Sequence, residues 1–185
     1  MIRLLVGVIV VGGCAVTLAA EPCRSGPQPG QRTGEYTAII STGTERGKSH
    51  CYICDAGKQP TVIVFARSLN EPLAKLVEGL DKARDEYKDA DLHPWVTFLN
   101  VDQNRFDPQV VTWGRKHSIR NVPLGIFEDV EGPPSYALNR EADVTVLLNV
   151  KQKVVANFSF REGELTDEKI ALVLKEIEKI ASAPK

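Results

Sequence analysis

The chain has 185 residues, 43% hydrophobic and 25% charged, with 23 Lys+Arg against 24 Asp+Glu for a formal net charge of −1. That length and balance point to one domain with a sizeable core and exclude collagen-like, coiled-coil and disordered classes. The near-neutral charge also removes the basic signature of a nucleic-acid or polybasic membrane partner.

Residues 1–20 read as a secretory signal peptide. Arg3 precedes an apolar run from Leu4 to Val11, and small residues fill the end. The run is interrupted by Gly12 and Gly13, too soon for a membrane span. Val11-Gly12-Gly13-Cys14 resembles a lipobox, in which Cys14 would carry a lipid anchor, whereas the small residues favour cleavage near Ala19 or Ala20. Either outcome puts the mature chain outside the cytosol, in the periplasm, at the cell envelope or secreted, with no membrane span left. Cleavage after Ala20 leaves three cysteines, Cys23, Cys51 and Cys54, so one stays free, pairs between chains or binds metal.

Residues 21–35 are rich in Pro, Gly and polar side chains and read as an irregular linker. The domain is expected over 36–185. Tyr36 to Ile40 is a short strand candidate, and 41–60 is loop-like, with His50-Cys51-Tyr52-Ile53-Cys54 in its midst. Thr61-Val62-Ile63-Val64-Phe65-Ala66 is an uninterrupted run suited to a strand covered on both faces. Leu73, Leu76, Val77 and Leu80 then recur at helical spacing up to about Tyr87. Trp95–Val101 is a second buried strand ending in Asp102. Asp107-Pro108 supplies an N-cap and a first-turn proline for a helix through about His117.

Val122–Phe127 is a third strand, 128–142 a long irregular insertion, and Val144–Val150 with Lys153–Phe160 a hairpin turning at Lys151-Gln152. Thr166-Asp167-Glu168 opens a last helix with Ile170, Leu174, Ile177 and Ile180 on one face. The strands 61–66, 95–101, 122–127, 144–150 and 153–160 are expected in one mixed sheet with helices on both faces.

That order, with Thr61–Ala66, Phe98-Leu99-Asn100-Val101-Asp102, Ile119-Arg120-Asn121-Val122-Pro123, and the Asp143–Leu148 and Lys153–Val155 hairpin, resembles the thioredoxin-like family, including its exported and peroxiredoxin-type branches. The resemblance covers about residues 36–182 and implies an α/β, three-layer thioredoxin-like fold. In that family a reactive Cys-x-x-Cys follows the central strand at a helix N-terminus. Here that slot reads Ala66-Arg67-Ser68-Leu69-Asn70-Glu71-Pro72, without cysteine. A serine hydroxyl such as that of Ser68 is too weak an acid for thiol–disulfide exchange. Pro123 matches the family's cis-proline word but comes one strand early, and Asp143 or Val144 stands at the hairpin start.

The one Cys-x-x-Cys, Cys51 and Cys54, ends seven positions before Thr61. Three readings of the pair stay open: redox exchange, a passive disulfide, or metal ligation by His50, Cys51 and Cys54 with Cys23 in addition. No helix clearly starts at Cys51 in the sequence, and the family's architecture allows the pair to lie at the same sheet end as the slot.

Asp102 is expected as a strand-end cap, and His93 and His117 as surface or helix-end residues. Glu78, Asp81, Arg84 and Asp85 read as a solvated helix face, and Trp95 and Trp113 as core. The sequon at Asn157 lies in a strand and is set aside. No cofactor is implied. The expected partner is a protein or thiol substrate, and the function is thiol–disulfide redox, a non-catalytic binding or scaffolding module, or a small metal-binding protein.

Overall fold

The computed structural model describes residues 21–182. The segment 1–20 expected as a signal peptide, with Cys14, lies outside the described residues. The strands are β1 (Ala38–Ile40), β2 (Ser49–His50), β3 (Thr61–Ala66), β4 (His93–Leu99), β5 (Leu124–Phe127), β6 (Val144–Val150) and β7 (Lys153–Phe160). The helices are α1 (Tyr52–Ala56), α2 (Glu71–Glu86), α3 (Gln103–Lys116) and α4 (Asp167–Ala181). All seven strands form one mixed sheet in the order β2-β1-β5-β4-β3-β6-β7.

Strand β3 is interior, parallel to β4 on one side and antiparallel to β6 on the other, and every one of its residues is buried. Its alternate side chains feed two separate cores, as a period of two requires. Val62, Val64 and Ala66 join a large cluster with the apolar faces of α2, α3 and α4. Ile63 and Phe65 join a smaller one with Tyr36, Ile53, Ala56, Trp95, Tyr136 and Leu138. The three layers are therefore unequal. One face carries all three long helices. The other carries five-residue α1 and the insertion 128–142, with its 3₁₀ turn Pro134–Tyr136.

This asymmetry follows from topology. The crossovers β3-α2-β4 and β4-α3-β5 step in the same direction along the sheet, and right-handed connections then put both helices on one face. Helix α4 packs against α2 on that face, where Gly79 lets Leu174 lie against the backbone; a Cβ there would meet Leu174 Cδ1 at 2.4 Å.

Several boundaries differ from the sequence reading. Helix α3 starts at Gln103, with Asp102 as the N-cap accepting from Arg105 N–H at 3.0 Å. Asp107-Pro108 thus lies inside the helix, because the cap one turn earlier already satisfies the first free N–H groups. Asp102, expected as a strand-end cap, takes the helix N-cap role expected of Asp107. Strand β4 spans His93–Leu99 rather than Trp95–Val101, and β5 begins at Leu124 rather than Val122.

The stretch 41–60 is not all loop, since it contains β2 and α1. The lead-in 21–34 is irregular but tied down. Ser25 is buried, accepting from Thr145 Oγ1 at 2.7 Å through its hydroxyl and from Asn157 Nδ2 at 2.8 Å through its carbonyl. Gly30 N–H donates to Val154 O, and Val154 N–H donates to Gln31 O. The Asn157 amide of the sequon is consumed in this strap.

The face of Glu78, Asp81, Arg84 and Asp85 does more than meet solvent. Asp81 Oδ1 accepts the backbone N–H groups of Arg120, Asn121 and Val122 at 3.0, 2.6 and 3.0 Å. Arg84 Nη1 donates to Asn121 O. Trp95 and Trp113 are core, as expected. His117 caps the C-terminus of α3, and His93 pairs with Asp91 at 3.2 Å.

Candidate functional site

The strand registers place one continuous row across the sheet: Ser49, Ile39, Ile126, Phe98, Ala66, Val144 and Phe160. β2, β5, β4 and β3 all run in the same direction through that row and leave the sheet at the same end. Cys51 follows Ser49 by two positions, and Ser68 follows Ala66 by two. The cysteine pair and the cysteine-free slot therefore share one end of the sheet. Strands β2 and β3 are four inter-strand steps apart, or about 19 Å at ~4.8 Å per step. α1 then turns inward over the thinner face.

The slot after β3 holds a polar network. Ser68 Oγ donates to Asp143 Oδ2 at 2.9 Å, and Asn70 Nδ2 donates to Ser68 Oγ at 2.8 Å and to Asp143 Oδ2 at 3.1 Å. Asn70 also caps α2, its Oδ1 accepting from Leu73 N–H at 2.9 Å. Arg67 donates to the carbonyls of Ala142, Asn139 and Val130, tying the insertion to the sheet end. Burial of its guanidinium lowers its pKa from the ordinary arginine value.

All three polar side chains of the network are partnered inside the slot, so the arrangement closes this end of α2. Pro123 is trans, since the described residues include no cis peptide bond, and it stands at the start of β5, beyond β4 from the slot.

At the cysteine pair the order is reversed relative to the central strand: the thiols precede β3. Cys51 and Cys54 form a disulfide, with Cα atoms 5.3 Å apart. Helix α1 does start here. Cys51 is its N-cap, and the Cys54 N–H donates to Cys51 Sγ at 3.3 Å. No N-cap residue of the usual Ser, Thr, Asp or Asn type announces this helix, which is why periodicity missed so short an element. Ile53 and Ala56 anchor it in the smaller core.

Cys51 is half-buried against that core and Cys54 is exposed. His50 Nε2 lies 3.0 Å from Asp55 Oδ2, so the residues flanking the pair are joined to each other. Tyr52 stacks on Trp95 with centroids 5.6 Å apart and meets His50 edge-on at 4.5 Å. Burial, with a smaller contribution from the Asp55 charge, pushes the Tyr52 phenol up to about 12. Its hydroxyl is buried and makes no hydrogen bond among the described residues. Beneath it, Trp95 Nε1 donates to Tyr36 Oη at 2.8 Å, and Tyr36 Oη shares a 2.8 Å hydrogen bond with Thr97 Oγ1.

Cys23 is a free, half-buried thiol whose pKa is raised chiefly by burial, in a setting that includes Arg161, Glu164 and Glu141. Arg161 follows β7, at the opposite edge of the sheet from β2. The structure thus does not gather the set of Cys23, His50, Cys51 and Cys54. Among the described residues no three His, Cys, Asp or Glu side chains form a group able to hold a metal ion.

No protein-family model matches the chain, and no curated protein matches it in sequence. Solved structures do. A provisionally assigned protein disulfide isomerase of Bacteroides thetaiotaomicron superposes with a TM-score of 0.65 at 16% identity, over 87% of this chain and 96% of that one. The thioredoxin domain of a thiol-disulfide oxidoreductase of Bacteroides vulgatus gives 0.59 at 16% identity, over 82% and 99%. The exposed lipoprotein thioredoxin of Streptococcus pneumoniae gives 0.55 at 14% identity, over 77% and 99%. At these identities the likeness concerns architecture, and with the sheet described above it establishes a thioredoxin-like fold carrying a Cys-x-x-Cys pair away from the usual slot.

Proposed function

We propose that the chain is an exported thioredoxin-fold protein that exchanges disulfides with thiol substrates through Cys51 and Cys54. The observation that carries this reading is a disulfide closed across one turn, between one exposed and one half-buried cysteine, at the same sheet end as the slot. Access and a short loop favour exchange over inert stapling, because an exposed disulfide meets attacking thiols and a short ring contributes little chain entropy. Export is supported by the signal-like residues 1–20. The likeness to an exposed lipoprotein thioredoxin supports the same setting, where such pairs are oxidised.

A second reading is favoured by the slot. The closed network of Arg67, Ser68, Asn70 and Asp143 suits a module that kept the fold for binding or scaffolding.

Thiol trapping with mass spectrometry across a series of redox buffers separates the two. Exchange requires that the Cys51–Cys54 disulfide reduce in a mild thiol buffer, at a potential above about −300 mV. It also requires that the parent reduce insulin while the Cys51→Ser/Cys54→Ser variant does not. A disulfide inert to such buffers, in a parent without activity, rejects exchange and leaves the binding-module reading.

A further inference from the structure

The two sulfurs are not equivalent. Cys54 is exposed, whereas Cys51 packs against the smaller core and already accepts the Cys54 N–H at 3.3 Å. Exchange depends on which sulfur an incoming thiolate can reach and on how well the other leaves. The geometry points to Cys54 as the sulfur that is attacked and that carries the mixed disulfide, with Cys51 as the leaving and resolving thiolate. This inference rests on the exchange reading above and assigns the roles within it, with the exposed position second in the motif.

The step balances as follows. A thiolate of a dithiol substrate attacks Cys54 Sγ, forming a substrate–Cys54 disulfide and breaking the Cys51–Cys54 bond. Cys51 leaves with the electron pair as a thiolate. The N–H that it accepts strengthens as charge gathers on the sulfur, since hydrogen bonds to charged acceptors are the stronger ones. The substrate's second thiol loses its proton to solvent and attacks the first substrate sulfur, releasing Cys54 as a thiolate. The substrate is oxidised to a disulfide, the protein is reduced to the dithiol, and protons from solvent return to the two cysteines. Run backwards, Cys54 attacks a substrate disulfide and Cys51 resolves the adduct.

The arrangement favours attack at Cys54 in two independent ways. Approach to Cys51 is the more restricted of the two, because Cys51 is half-buried and packs against the smaller core whereas Cys54 is exposed. Attack on Cys51 would also expel Cys54, whose sulfur accepts no hydrogen bond among those found in the described residues, so the poorer leaving group would depart.

The test uses the oxidised parent protein pulsed with reduced glutathione, quenched in acid and mapped by tandem mass spectrometry. The adduct is expected on Cys54 in at least tenfold excess over Cys51. An adduct on Cys51 in equal or greater yield overturns the assignment and leaves exchange itself standing. Failure of glutathione to reduce the pair overturns both. Should the pair be reduced with no adduct trapped, the single variants decide, each reacted with oxidised glutathione: Cys54 in Cys51→Ser must react at least tenfold faster than Cys51 in Cys54→Ser. Equal rates reject the assignment.

Discussion

Ser68 donates its hydroxyl hydrogen to the Asp143 carboxylate at 2.9 Å, joining a residue two positions past the end of β3 to the residue just before β6. These are the positions at which the family resemblance expects a thiol and a proline. The contact is a structural one, with Asn70 bonded to both.

Ser68→Ala is therefore expected to leave insulin reduction unchanged and to lower unfolding free energy by about 1 kcal/mol, the usual net worth of one hydrogen bond. Steady-state assays and urea denaturation of the same samples check it. A tenfold loss of activity in a folded variant, about 1.4 kcal/mol in the barrier, would place the slot in the reaction.

Asp81→Ala tests how the segment before β5 is held. Three backbone N–H groups, of Arg120, Asn121 and Val122, converge on one carboxylate oxygen. Val122 is buried, so its N–H has little recourse to water. Loss of this anchor is expected to cost about 2 kcal/mol. Amide exchange should accelerate first at 119–123, before global unfolding; uniform acceleration across the sheet would show that the anchor is not local.

Where the sequence carried a period, the fold was legible. The run 61–66 reads as an interior strand, and the faces Leu73–Leu80 and Ile170–Ile180 read as helices, because burial forces those spacings. Legibility fails where a contact joins distant backbone. Asp81 looked like a solvated charge because its partners are main-chain groups about 40 positions away. The strap at 21–34 has no apolar period, since backbone and Ser25 hold it.

Helix α1 is too short to show periodicity, and Cys51, Ile53 and Ala56 are placed by tertiary packing. The two competing acids, Asp102 and Asp107, could each cap a helix; the end of β4 at Leu99 decides for the earlier one. That the cysteine pair and the slot share a sheet end follows from the register through β1 and β5, which no local pattern encodes.

Tyr52 makes a pH prediction with a definite sign. Its phenol is raised from the ordinary value near 10 to about 12 by burial and by Asp55. A raised value favours the protonated folded form, so this stability is complete below about pH 10 and is lost as pH climbs toward 12. Phenolate absorbance is expected to lag behind free tyrosine in that window and to appear together with loss of the near-ultraviolet circular dichroism. Tyr52→Phe, which deletes a buried hydroxyl lacking a hydrogen bond, should be neutral or stabilise the protein by up to about 1 kcal/mol, while preserving the stack on Trp95. A loss above 1 kcal/mol would show that the hydroxyl has a partner in solution.

Replacing both cysteines by serine separates the chemistry of the pair from any stapling role. The closed ring spans only residues 51–54, so in the chain-entropy model it contributes less than the ~3 kcal/mol of a 15-residue loop. Ser at 51 is itself a favoured N-cap and can keep the bond from the residue 54 N–H that Cys51 Sγ now accepts. Ile53 and Ala56 remain to seat α1 in the core. Cys51→Ser/Cys54→Ser should therefore fold, with a loss below about 2 kcal/mol and a Tm drop within roughly 8 °C for a domain of this size. Adding a strong thiol reductant should move the parent's Tm by a similar amount and leave the variant's where it was. A much larger fall in the variant, matched by the reduced parent, would mean that the disulfide is there to hold β2 and α1 together, and exchange through it would then open the fold at that edge.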